Sequence, residues 1–191
     1  MTDEIKRISS VYGAYNNTKH EHLPVKKASR QQVERDDFVD FSSDALEQSS
    51  GLGSARQFHD LFDYELSRSE RYDTPFSLIH VRIANFGDLN HVFGHFTTSC
   101  LMNEIGRTIR DSIRSVDRSY HYGADSFMIL LPNTPFSGAE TMVSKLAGKI
   151  GSFSFTSVRG DVATADPAFG IASFPVDGTT SESLLSRVTA G

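Results

Sequence analysis

Apolar residues recur at helical spacing in ARQFHDLFDYELSRSER, where Phe58, Leu61, Phe62 and Leu66 fall on one face of an amphipathic helix. The period then drops to two. In FSLIHVRIANF, Ile79, Val81 and Ile83 point one way, which predicts a half-buried strand. Helical spacing returns in TTSCLMNEIGRTIRDSIRSV, with Met102, Ile105, Ile109 and Ile113 on one stripe. RSYHY and FMILLP flank GADS as two strands of a hairpin, and GAETMVSKLAGKI predicts a further helix. AFGIASFPVDG reads as a buried strand that ends at a Pro and Gly turn. Helices alternating with strands around an antiparallel hairpin predict an α/β fold, an α+β sandwich with a mixed central sheet flanked by helices.

The pattern is different before Gly51. Residues 1–50 are mostly polar, with a lysine-bearing part, KHEHLPVKKASR, followed by the acidic ERDDFVDFSSDALE. Such a segment buries too little apolar surface to offset its chain entropy, so it reads as a largely disordered arm. Two short apolar islands in it, ISSVYGAY and FVDF, are of the kind that order on a partner. The expected organisation is an interaction arm over 1–50 and one packed domain over 51–191.

Charge and cysteine content narrow the function classes. The 191 residues carry 19 Lys and Arg against 24 Asp and Glu, a formal charge of -5. That balance argues against nonspecific coating of nucleic acid or anionic membrane, while a small anionic ligand in one local basic pocket stays compatible with it. The single Cys100 excludes an intramolecular disulfide and suits a reducing cytoplasm. MTDEIKRISS does not resemble a signal peptide, and no run approaches the roughly 20 apolar residues that span a bilayer. The seven histidines lack the paired spacing of a zinc site.

Several stretches together resemble the GGDEF family, diguanylate cyclases that condense two GTP into cyclic di-GMP. They are GLGSARQF at the start of the domain, NFGDLNHVFGH as the family's Phe-Lys-x-Ile-Asn-Asp-x-Phe-Gly-His loop, RSVD with HYGADSF as the signature region, and FGIASFPVDG as the late strand. The resemblance runs from about Gly51 to the end and implies a nucleotidyl-cyclase-like sheet flanked by helices.

Carried over residue by residue, the resemblance implies a cyclase site that is taken apart. The two metal-holding carboxylate positions correspond to Arg82 and Asp125. A guanidinium cannot ligate a divalent ion and stays charged, so an Arg82 to Asp125 ion pair is the expected replacement for the metal. In the signature, Gly123 is kept, Ala124 adds a Cβ where a phosphate must approach, and Ser126 replaces an acidic residue. Asn90 remains at a guanine-contacting position whose partner has become Ser99. The chain stops at SLLSRVTAG, near the start of the family's last helix, so that helix and the strand after it are expected to be truncated or absent. The resemblance therefore implies no catalytic residue, no metal and no cofactor.

One piece is intact. Arg114-Ser115-Val116-Asp117 reproduces the Arg-x-x-Asp motif that forms the family's inhibitory site for cyclic di-GMP. An arginine fork donates to guanine O6 and N7, and a carboxylate accepts from the N1 and N2 edge. The family's secondary arginine aligns with Lys145, and Arg110, one turn before Arg114, adds positive potential. The competing structural reading is a helix-terminal salt bridge.

The expected function is a catalytically inactive receptor for cyclic di-GMP that passes the signal to a protein partner through the N-terminal arm. Ligand-dependent dimerisation and recruitment to a cell pole or complex are implied by the family. Two alternatives stay open: an interaction scaffold that binds no nucleotide, and a residual GTP sensor built on Asn90 and Asp125.

Overall fold

A computed structural model describes residues 50–156 and 162–190. The arm expected over residues 1–50, with both apolar islands, lies outside the described residues except for Ser50. In chain order the elements are α1 (Ala55–Tyr72), β1 (Phe76–Ile83), α2 (Phe86–Arg110), β2 (Arg118–Gly123) and β3 (Ser126–Pro132), then α3 (Phe136–Ile150), β4 (Ser154–Thr156), β5 (Val162–Thr164), β6 (Pro167–Phe174) and α4 (Ser181–Thr189).

Local sequence sets the helix ends. Ser54 caps α1, accepting from the Gln57 amide while the Gln57 side chain accepts from the Ser54 amide, a reciprocal box that satisfies two otherwise orphaned donors. Asp73 ends the helix in the left-handed region at φ 50°. Thr180 and Ser183 repeat the box at α4, so the stretch SLLSRVT does form a helix, with Leu184 and Val188 buried.

The sheet order is β2-β3-β1-β6. The α/β class holds, but the expected mixed sheet does not: β1 pairs antiparallel with both β3 and β6, and β2 pairs antiparallel with β3. The hairpin is the reason. β1 and β2 are joined through a helix and run the same way, yet β3 folds back between them, so the two parallel strands never touch. The parallel contact among the described residues is the isolated bridge between Gly53 and Tyr120.

β1 is also not half-buried. Every residue but Arg82 is buried, because helices cover both faces of this central strand. Ile79, Val81 and Ile83 join Phe127, Ile129 and Leu131 under Met102, Ile105 and Ile109 of α2 and Leu146 and Ile150 of α3. Phe76 and Leu78 join Met128 and Leu130 on the opposite face, under Phe58, Phe62 and Leu66 of α1 and Leu184 and Val188 of α4. Leu61, expected in the α1 core stripe, is only partly buried, and Ile113 lies past the end of α2. The stretch NFGDLNHVFGH, expected as a loop, is the first half of α2, broken at Gly94, whose φ of 79° no other residue adopts cheaply. The β4 and β5 hairpin gives no signal in the sequence because three-residue strands carry almost no periodicity.

Two consequences can be measured. Gly170 pairs with His80 in the sheet, and a Cβ there would collide with the Val188 carbonyl of α4. Gly170→Ala should therefore lift α4 and lower the urea unfolding free energy by about 1–3 kcal/mol; an unchanged midpoint would contradict this packing.

Two buried histidines add a pH dependence. Burial pushes His80 below its ordinary value, helped by Arg82 and opposed by Asp125, and burial alone lowers His121. Below about pH 6.5 the unfolded chain takes up these protons before the folded one does, so stability held above that pH falls as pH drops toward the folded values. The urea midpoint should drop between pH 7.5 and 5.5, and by less in His121→Gln.

Candidate functional site

α2 ends at Arg110 with two arginines, Arg107 and Arg110, in its last turn, where the helix dipole favours positive charge. The chain then makes a tight turn before β2. The Asp117 Oδ2 accepts from the Arg114 amide at 2.8 Å, and the Asp117 amide donates to the Arg114 carbonyl at 3.1 Å. Arg118 Nη1 fastens the same turn from outside, donating to the carbonyls of Ser115 at 2.7 Å and Asp117 at 2.9 Å.

Asp117 is only 4% exposed. Its second oxygen, Oδ1, is buried and has no hydrogen-bond partner among the described residues. The helix-terminal salt bridge is not formed: Arg114 and Asp117 meet through the backbone amide, and the Arg114 guanidinium makes no hydrogen bond or ion pair among the described residues. A buried carboxylate oxygen left without a donor is costly, of the order of 1–3 kcal/mol or more.

The opposite wall comes from Ser50–Gly53, which runs along β2. Gly53 N donates to Ser119 O at 3.1 Å and His121 N to Gly53 O at 2.8 Å. Ser50 Oγ lies 2.9 Å from His121 Nε2, and Arg110 Nη1 donates to Ser50 O at 2.7 Å. Gly51 is favoured by its φ of 73°, and a Cβ there would stand 2.7 Å from Arg110 Nη1, so a larger residue would also shift that guanidinium.

Between these walls lies an open cavity of about 600 Å³, lined among others by Gln57, Arg110, Arg114, Asp117, Arg118 and Tyr120. Burial raises the Tyr120 phenol above its ordinary value, and the Arg118 charge partly opposes this. Arg110, Arg114 and Asp117 are thus brought together as the sequence suggests. Lys145 is not: its Nζ donates to Ser112 O at 2.9 Å, and it lies outside the cavity lining. Arg118, Tyr120 and Gln57 escaped sequence reading. The one signal available was the regular spacing of Arg110, Arg114 and Arg118.

The other expected positions gather away from this cavity. Arg82 is exposed near the end of β1, in register with Ser126 of β3. Asp125 sits at the hairpin tip, where its carbonyl accepts from Ile83 N at 2.9 Å. The expected Arg82 to Asp125 ion pair is not among those formed by the described residues; both charges instead act on His80. Gly123 is tight, since a Cβ would stand 2.8 Å from Ser126 Oγ. Ala124 is exposed at the tip. On α2, Asn90 carries a buried Oδ1 without a partner among the described residues, and Ser99 is buried beyond the Gly94 kink.

The chain resembles known proteins over most of its length. PleD, a response regulator of Caulobacter vibrioides, is 22% identical over 170 residues, which is 84% of this chain and 37% of PleD. The chain thus spans little more than a third of that relative. The GGDEF domain of DgcB from Caulobacter crescentus, solved with c-di-GMP, matches with a TM-score of 0.68 at 18% identity, covering 85% of this chain and 90% of that one. The diguanylate cyclase SiaD of Pseudomonas aeruginosa, solved with its activator SiaC, matches with a TM-score of 0.68 at 18% identity, over 98% of this chain and 65% of SiaD. At such identities these structures speak for the fold. The family described as diguanylate cyclase, GGDEF domain, matches residues 45–190, and the chain belongs to that family.

Proposed function

We propose that this chain is a GGDEF domain that no longer makes cyclic di-GMP but binds it in the cavity beside Arg114 and Asp117, and relays its presence to a protein partner. The observation that carries this reading is a cavity lined by both Asp117, whose buried Oδ1 has no donor among the described residues, and Arg114, whose guanidinium has no partner among them. Guanine supplies both complements. Its N1–H and N2–H edge donates to a carboxylate, and its O6 and N7 accept an arginine fork.

The loss of synthesis is supported by the chemistry at the end of β1. Arg82 stands in register with Ser126, a cation facing a hydroxyl, and a guanidinium repels the divalent ion that the family's reaction uses. These residues do not fit a metal. No group of three His, Cys, Asp or Glu side chains suited to an ion occurs among the described residues.

The DgcB domain bound to c-di-GMP and the SiaD complex with an activator protein make a ligand of this class and a protein partner reasonable for a relative. The segment before Ser50 is the proposed output surface. Ligand-dependent dimerisation and recruitment to a larger complex, in the cytoplasm, belong to the same proposal. No described helix is long and apolar enough to cross a membrane.

Isothermal titration calorimetry tests the reading. Cyclic di-GMP should bind the wild-type protein at micromolar Kd or tighter, about -8 kcal/mol or better. Arg114→Ala should abolish the heat, while GTP with magnesium gives none and no cyclic dinucleotide is formed. Absence of binding by the wild-type protein would leave a nucleotide-independent scaffold as the better account. Binding of GTP that survives Arg114→Ala would favour a sensor at Asn90 and Asp125.

A further inference from the structure

We infer that the second guanidinium acting on the ligand is Arg118 and that Lys145 has no direct part, an inference that rests on the receptor reading above. Lys145 aligns with the family's secondary arginine, but its ammonium is tied to the Ser112 carbonyl, and Lys149 holds the Ser112 hydroxyl at 2.9 Å. Both lysines brace the end of α2 rather than line the cavity. Arg118 is the first residue of β2 and lines it directly.

The guanidinium groups differ in what they have left to give. Arg110 donates through Nη1 to Ser50 O and through Nε to Asp111 at 3.2 Å. Arg118 donates through Nη1 alone, to two carbonyls of the turn, and its Nε and Nη2 make no hydrogen bond among the described residues. Its head group is therefore held in place before any ligand arrives, with two nitrogens still available. An arginine fixed in this way loses little side-chain entropy on binding.

Charge points to the part of the ligand it meets. The ionised side chains of the lining are Arg110, Arg114, Arg118 and Asp117, a net charge of +2. A cyclic dinucleotide carries two phosphodiesters and complements that charge. With the guanine edge taken by Arg114 and Asp117, the remaining fork of Arg118 suits a phosphodiester, whose oxygens accept paired N–H donors.

The test separates contact from support. Cyclic di-GMP is titrated into wild type, Arg118→Gln and Lys145→Ala at 50 and 300 mM salt, with thermal melts run alongside. Arg118→Gln keeps an N–H donor for the turn but removes the charge; Arg118→Lys, which keeps a donor but loses the paired fork, serves instead if the glutamine variant does not fold, and is read by Kd alone.

The expected result is about tenfold or greater weakening for Arg118→Gln at low salt, a smaller salt dependence of Kd than wild type, and Lys145→Ala within about twofold of wild type. A salt dependence equal to wild type would mean that Arg118 only positions the turn, which overturns the inference. So would wild-type affinity in the Arg118 variant, or a loss in Lys145→Ala as large as in Arg118→Gln. In these cases the receptor reading stands, because wild type binds and Arg114→Ala does not. No binding by wild type removes both.

Discussion

β1 is hydrogen-bonded along both edges and buried on both faces, and the positions of the other functional parts follow from it. Its register with β3 brings the hairpin tip to Arg82. The same β3 carries β2 on its far edge, so the turn that precedes β2 opens two strands away from Arg82. Side chains alternate strictly across the sheet. A slip of one residue would exchange the two cores and turn Phe127 and Met128 to the wrong helices. That constraint holds the hairpin in place whatever chemistry its tip carries.

The cavity depends on a smaller constraint of the same kind. One oxygen of Asp117 closes the turn on the Arg114 amide, and this commitment buries the other oxygen where no donor among the described residues reaches it. Arg118 supports the turn from its carbonyl side. The Ser50–Gly53 strap, pinned by Arg110 and His121, supplies the facing wall. The carboxylate is thus both part of the scaffold and an unfilled acceptor. The strap also joins the cavity wall directly to the segment proposed to carry the output, so the two lie within a few residues of one another in sequence.

Much of the fold was legible because long amphipathic segments announce themselves. The stripe of Phe58, Phe62 and Leu66 and that of Met102, Ile105 and Ile109 are core as expected. Errors arose where a local pattern has more than one tertiary solution. β1 alternates only weakly because both its faces are covered. Helix alternating with strand suggested parallel neighbours until the hairpin placed β3 between them. The arginine and aspartate of the turn were legible as a pair, but their relation was not: spacing permits a salt bridge, whereas the structure joins side chain to backbone amide.

By itself, the sequence determined which residue types are available: a guanidinium at position 82, an arginine and a carboxylate either side of a tight turn, and glycine at 51 and 170. These follow from side-chain chemistry and the missing Cβ, which no packing can alter. Tertiary structure alone decided which of the neighbouring cations face the cavity. Lys145 and Arg118 are both basic and both near the turn, yet one is drawn to the Ser112 carbonyl and the other lines the cavity. That choice depends on where α3 packs against the end of α2, a contact between segments more than thirty residues apart, and one-dimensional spacing holds no record of it.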